Sequence, residues 1–420
     1  MLSRLFAYRL APQRRKTSSY DHRLDGLRGF AAISVIIVHG YGDSESVLAA
    51  PNEYIRHLHM SRVAVLLFFI LSGYVIGLTN QDGFSKGNAL CYLKKRSIRI
   101  VPTYLLAILA GWLAFRAVPV GNLLSNLFFL QNDAWGIAPL PGNRPVWSLN
   151  YEIIYYLSFL AVWKWCPRIV PLSAILLFAT MGDWFVGGPF SLVGGWSAGA
   201  IFWLTGLALA WNRPAAGTTP IIPFLLLAFA TQHLWPATVL LRGLGFPYAG
   251  NSAVWFSDLV FLPSALVIFC AAAQFRFRGL VLLKWTVFLI PAATCVLLLG
   301  MGRLWENVAW TLAACAVLAA LPLLLFNTEK LSDSLLSFFR PAGKISYALY
   351  LMHYPAVAFT IWLYPWNGTS LNYLGGVATW IALSVALASL CELLVQPSIR
   401  SLFVVNKKTT DKPSSAASPL

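Results

Sequence analysis

Acidic residues are scarce in this chain: 15 Asp and Glu face 31 Lys and Arg, and charged residues of either sign fill only 11% of its 420 positions. A soluble domain carries closer to a quarter, so the shortage excludes an ordinary water-soluble globule. Cysteines are few as well, six in all: Cys91, Cys166, Cys270, Cys295, Cys315 and Cys391. None pairs in a CxxC-type motif, which argues against a disulfide framework and against a zinc site. No long hydrophilic insert interrupts the chain, so no appended soluble catalytic module is expected. Residues 1–22 carry neither an apolar h-region nor a small-residue cleavage site, so no signal peptide is read there.

What is there is apolar. At 58% hydrophobic residues and a mean hydropathy of +0.67 the composition is that of an integral membrane protein. Lipid admits only helices and closed barrels, and the apolar runs show no strict alternation, so the expected class is all-α and polytopic. Apolar segments fall near 26–41, 62–79, 98–118, 147–165, 169–182, 190–211, 219–235, 254–273, 281–300, 307–326, 345–364 and 373–395. A perpendicular crossing needs about 20 residues. Three of the segments (26–41, 169–182 and 219–235) are short enough to be tilted, re-entrant or mis-split, and 10–12 transmembrane helices are expected.

Charge sets the orientation. With the N-terminus inside and twelve crossings, 25 of the 31 Lys and Arg residues fall on the cytoplasmic side, leaving Arg56, Arg62, Arg116, Arg144, Arg242 and Arg303 outside. The positive-inside rule then puts both termini in the cytoplasm. The net charge of +16 becomes a consequence of topology, with a surplus for anionic lipid or an anionic ligand, and nucleic acid is not needed to explain it. Residues 1–22 read as a basic cytoplasmic tail, 23–400 as the transmembrane domain, and 401–420 as a disordered cytoplasmic tail.

Within this apolar background a few polar stations stand out, because ionisable groups at bilayer depth are costly and functional by default. The stretch RLDGLRGFAAISVIIVH (Arg23 to His39) carries Asp25, Arg28 and His39. Arg28 and His39 lie eleven residues apart, three helical turns, so they share a face about 16 Å apart along the axis. A neutral imidazole in a low-dielectric site suits a general base; an interhelical hydrogen bond would explain the same histidine. In YLKKRSIRIVPTY, Arg96 and Arg99 share a face at the membrane edge, backed by Lys94 and Lys95. Guanidinium forks match phosphate oxygens, while lipid-headgroup anchoring is the plainer alternative.

FFILSGY (Phe68 to Tyr74) has Ser72-Gly73 in mid-membrane, a sign of close helix packing. PVWSLNYE places Trp147 at a helix start and Ser148 and Glu152 on one face. A buried carboxylate there would orient an imidazole, bind a substrate hydroxyl, or simply pair with another helix. ISYALYLMHYP sets Ser346, Tyr350 and His353 on one face, with Tyr347 beside them. Asp258 and Glu392 are the remaining membrane-embedded acids and belong to no motif.

In this order the stations resemble the acyltransferase-3 family, polytopic membrane O-acyltransferases that acylate bacterial surface polysaccharides, lipopolysaccharide, Nod factors and other acceptors. The resemblance runs from roughly Tyr20 to Arg400. The family's Arg-x10-His spacing falls on Arg28 and His39 and its Arg-x-x-Arg element on Arg96 and Arg99; WSLNYE is similar to members working on exopolysaccharide. Members commonly have about ten helices, and some carry a fused hydrolase-like domain that this chain does not show. The resemblance implies transfer of an acyl group, often acetyl, from cytoplasmic acyl-coenzyme A to a carbohydrate hydroxyl at the bacterial plasma membrane, with no tightly bound cofactor and no metal.

On that reading Arg28, Arg96 and Arg99 hold the donor phosphates. His39 takes the acceptor proton with Glu152 or Asp25 orienting it, and Trp147, Ser148, Tyr347 and His353 contact the acceptor. Direct attack on the thioester and an acyl-histidine relay both remain open. The outer loops 119–146 and 236–253 are candidates for sugar contact. Two rivals are a transporter, which predicts internal repeats that are not visible, and a non-catalytic scaffold of a polysaccharide-export machine, which has no use for His39 and Arg28.

Overall fold

A computed structural model describes residues 22–39, 54, 57–114, 118–132, 136–186, 190–212, 214–243, 254, 256–365 and 370–404. Most of the tails expected at 1–22 and 401–420, and part of the outer loop 236–253, lie outside the described residues. Each of the twelve apolar segments becomes helical, and the described fold is all-α apart from one two-residue strand pair. Among the described residues seven helices are long and apolar enough to cross a membrane.

The N-terminal half supplies α1 (His22–Ile37), α2 (Ser61–Thr79), α3 (Lys86–Ala114), the short α4 (Val120–Leu127), α5 (Trp147–Trp165), α6 (Ile169–Val186) and α7 (Phe190–Asn212). A 3₁₀ turn over Pro141–Val146 leads into α5. Next come α8 (Ile222–Leu234), α9 (Pro236–Gly243), α10 (Leu262–Ala272), α11 (Leu280–Gly300), α12 (Val308–Leu325), α13 (Glu329–Lys344), α14 (Ser346–Leu363), α15 (Ser370–Ser389) and α16 (Gln396–Val404). One π-helical turn, Leu390–Val395, joins the last two. Strands β1 (Ala215–Ala216) and β2 (Phe275–Arg276) pair antiparallel and clip the end of α7 to that of α10.

Helix α2 is the hub. Its apolar window is 67% buried within the protein, against 22% for α11, which turns Trp285, Leu289 and Val296 outward as a lipid-facing helix must. The Ser72-Gly73 signal is close packing: a Cβ at Gly73 would run into the backbone carbonyl of Trp203 on α7.

Helix α13 is the element the apolar pattern does not announce. Its sequence EKLSDSLLSFFRPAGK is polar overall, yet it lies along α1 in backbone contact. A Cβ at Gly29 would strike the Phe339 carbonyl, and one at Gly343 would strike that of Asp25. Arg23 pairs with Asp333 and also donates to the Ala271 carbonyl. These contacts, the Trp163 bond to the Asp82 carbonyl and the β1–β2 clip join segments that the charge pattern assigns to a single side of the membrane.

Candidate active site

A cavity of about 800 Å³ opens among α1, α2, α3, α5 and α14. Along α2 its wall runs from Val65 to Thr79, fourteen residues or about 21 Å of helix axis. Helix α5 runs alongside in the same direction, from Ser148 and Leu149 at the inner end to Trp163 at the mouth. There the Trp163 indole N–H donates to the Asp82 carbonyl at 2.8 Å.

The mouth is basic, and its cations are held on aromatic faces. Arg96 sits 5.7 Å from the Tyr92 ring centroid and 5.4 Å from that of Tyr156, and donates to the Thr79 hydroxyl at 3.3 Å. Arg99 lies 5.2 Å from the Tyr347 ring centroid and forms an ion pair with Glu392. Tyr347 in turn donates to the Ile100 carbonyl at 3.1 Å, so it serves as a platform under Arg99. Lys95, Lys344 and Arg400 add charge to the same wall. Two carboxylates face these cations. Asp25, buried at 2% exposure, lies 3.6 Å from Arg28, and Glu152 accepts from the Tyr156 hydroxyl within reach of the fields of Arg96 and Arg99.

The inner end is aromatic. Ser148 Oγ and the Tyr350 hydroxyl lie 2.8 Å apart, and Tyr350 also donates to the Pro145 carbonyl at 2.9 Å. Phe68 packs against Tyr350 with ring centroids 6.0 Å apart. One turn further along α14 stands His353, its ring centroid 6.0 Å from that of Tyr350 and 5.3 Å from that of His39. His39 itself occupies a π-helical turn that ends α1 and meets Tyr354 edge-on at 5.5 Å. Such wide turns occur often at functional sites.

The cavity therefore gathers Asp25, Arg28, Arg96, Arg99, Ser148, Glu152 and Tyr347 from four helices. It does not include His39 or His353, which pair beyond the Phe68–Tyr350 end. Asp25 precedes His39 by fourteen residues, about 21 Å along α1, so its carboxylate serves Arg28 and does not orient His39. Trp147 lies outside the cavity wall and packs edge-on against Tyr151 at 5.5 Å. Asp258 belongs elsewhere: its carboxylate takes both Nε, at 2.7 Å, and Nη2 of Arg62.

Sequence reasoning missed Tyr156, Lys344 and Arg400 as wall residues, Glu392 as the partner of Arg99, and Asn143. Pro355 has no N–H for the carbonyl of Leu351 four residues back, and Asn143 Nδ2 donates to that carbonyl at 2.9 Å. The signal was present as a proline inside the helix, but its satisfying partner lies 208 residues away. None of the six cysteines forms a disulfide; Cys91 is exposed and lines the cavity. Among the described residues no three His, Cys, Asp or Glu side chains come together as metal ligands.

Comparisons with known proteins bear on the family to which the chain belongs. The family described as an acyltransferase domain, acyltransferase-3, matches residues 21–389. The chain is 29% identical over 163 residues to Acyltransferase MdmB of Streptomyces mycarofaciens, covering 36% of this chain and 41% of that protein. It is 22% identical over 241 residues to Nodulation protein 10 of Rhizobium leguminosarum bv. viciae, covering 49% of this chain and 64% of that one. The chain thus spans about two fifths to two thirds of these relatives, and no solved structure matches it. With the family match extending from the start of α1 to the end of α15, this chain belongs to the acyltransferase-3 family.

Proposed function

We propose that this protein is a membrane O-acyltransferase that moves an acyl group, acetyl in the simplest case, from acyl-coenzyme A to a carbohydrate hydroxyl at a bacterial plasma membrane. One observation carries the reading: a single cavity sets Arg28, Arg96 and Arg99 at one end and closes, about 21 Å along α2, against the helix turn that bears His353 and its neighbour His39. Coenzyme A has matching polarity, with phosphates at one end and the thioester at the tip of a flexible arm. Arginine forks bind the phosphates. The excess of Lys and Arg on this side supports a cytoplasmic mouth, on the side where the donor is made.

The chemistry follows from the far end. His39 takes the proton of the acceptor hydroxyl as the oxygen attacks the thioester carbonyl. The carbon–sulfur bond breaks, the thiolate leaves, and His39 returns the proton to it. An acyl-histidine intermediate balances equally well: the imidazole attacks first and the acceptor oxygen second. Glu152, one helical turn from Ser148 on the cavity wall, suits a substrate hydroxyl or amide better than His39, because Tyr156 already holds it.

The test is acyl transfer by purified protein in vesicles, with acetyl-coenzyme A and glycan from the host surface. His39→Ala is expected to lower the rate by about 100-fold or more, while acetyl-coenzyme A still slows maleimide labelling of Cys91 at the cavity wall. Undiminished transfer by His39→Ala would remove that histidine from the chemistry. Donor protection of the wild-type protein with no product from any glycan would favour a scaffold or transporter.

A further inference from the structure

The turn of α14 around His353 is held with unusual care. Asn143 donates to the Leu351 carbonyl at 2.9 Å, and the Trp380 indole N–H donates to the carbonyl of His353 itself at 2.7 Å. Asn143, Trp380 and His353 are all essentially without solvent exposure. The backbone is thus fixed from two other elements, the 3₁₀ turn before α5 and helix α15.

The imidazole at the centre of this support is left unsatisfied. Neither Nδ1 nor Nε2 of His353 makes a hydrogen bond, and the nearest carbonyls on its own helix, those of Leu349 and Tyr350, lie off bonding geometry. Burying a polar group in that state costs about 1–3 kcal/mol, and native proteins rarely leave such groups without a reason. Packing alone gives none, since a Phe or Leu would fill the site without the penalty. The groups that face the ring are His39 from α1, Tyr350 and Tyr354 from its own helix, and Phe68 through Tyr350.

Of these, His39 has the right separation. Ring centroids 5.3 Å apart, with the planes tilted by 37°, leave room for one hydrogen bond between ring edges. A general-base histidine needs such a partner, because the group on one ring nitrogen decides which tautomer presents its lone pair at the other. Neither carboxylate expected to do this is placed for it. Asp25 sits about 21 Å back along α1, and Glu152 is engaged by Tyr156.

We infer that His353 is the positioning residue for His39: it accepts a hydrogen bond from the His39 ring N–H, so that the opposite nitrogen carries the lone pair that takes the acceptor's proton. The inference rests on the acyl-transfer reading above and deepens it by assigning a role to the ring that packs against the proposed base. During transfer the proton passes from the acceptor oxygen to His39, the imidazolium keeps its second N–H on His353, and the same proton then leaves with the thiolate. His353 neither gains nor loses a proton. It stabilises the charged ring as it forms, and a neutral partner in an apolar setting does so without adding a second buried charge.

The experiment compares His353→Phe and His353→Asn with wild type in the vesicle assay, alongside donor protection of Cys91. His353→Phe fills the space and removes the acceptor; kcat is expected to fall by about 100-fold or more with the KM for acetyl-coenzyme A within twofold. His353→Asn restores a hydrogen-bonding oxygen and should recover at least tenfold over Phe. Two results would overturn the assignment: kcat for His353→Phe within threefold of wild type, or equal losses in Phe and Asn variants together with lost Cys91 protection, which is the mark of a merely structural residue. Wild-type protein without any transfer would instead break the acyltransferase reading, and this assignment with it.

Discussion

Two arginine clusters lie near opposite ends of α2 and use the same side chain in opposite ways. At the start of the helix Arg62, half-buried, is committed to partners within the protein. Asp258 takes it through both oxygens, and Gln232, reaching over from α8, accepts from the backbone N–H groups of Arg62 and Val63 while donating to the His59 carbonyl. Near the other end Arg96 and Arg99 rest on aromatic faces beside an open cavity. A carboxylate partner consumes a guanidinium's directional bonds, whereas a ring face supports the charge and leaves its N–H edge available. The first arrangement builds a fold. The second waits for an anion.

Breaking the first cluster should have the largest effect, and on stability. Asp258→Ala leaves the half-buried Arg62 without its carboxylate and is expected to cost about 2–3 kcal/mol, read as a lower melting point in detergent, with donor KM unchanged in the protein that remains folded. Breaking the second should spare stability and strike binding. Arg96→Ala with Arg99→Ala removes two charge-assisted contacts worth about 1.5–3 kcal/mol each, so the donor KM should rise by at least tenfold. An unchanged donor KM would return these arginines to lipid anchoring. The smallest effect sharpens the contrast, because Arg99 alone of the second pair keeps a carboxylate. Glu392→Gln frees its charge for the donor, and donor KM should fall by about two- to threefold, within the 0.2–1 kcal/mol of a partly exposed pair. A rise in KM would mean that Glu392 is needed to aim the guanidinium.

The same contrast explains what the sequence could and could not disclose. Local spacing was enough for Arg28 and His39 on α1, for Arg96 and Arg99 on α3, and for the face shared by Ser346, Tyr350 and His353, because a helix converts sequence offset directly into position. Composition was enough for the all-α membrane class. Pairings between distant segments were not legible. Arg99 meets Glu392 across 293 residues, and Ser148 meets Tyr350 across 202. Asp258 and Arg62, 196 residues apart, belong to no motif and could not be told from a functional pair by type alone. The place of His39 along α1 was readable from its helix, but the Phe68–Tyr350 pair at the cavity's inner end was not, since that wall is built from two helices at once. Tyr347 was named as an acceptor contact on the family resemblance; that its ring also lies 5.2 Å from Arg99 depends on how two helices pack and was not legible.

The contact between α1 and α13 bears on how the molecule is made. Arg23 and Asp333 are 310 residues apart, so at about 5–20 residues per second α1 leaves the ribosome some 15–60 s before its partner exists. During that interval the glycine face of α1 and the carboxylate of Asp25 must rest against lipid, an insertion factor or a temporary neighbour. The helix that carries Arg28 and His39 is therefore completed by one of the last to arrive, and a chain truncated before α13 lacks the Gly343–Lys344 part of the cavity wall.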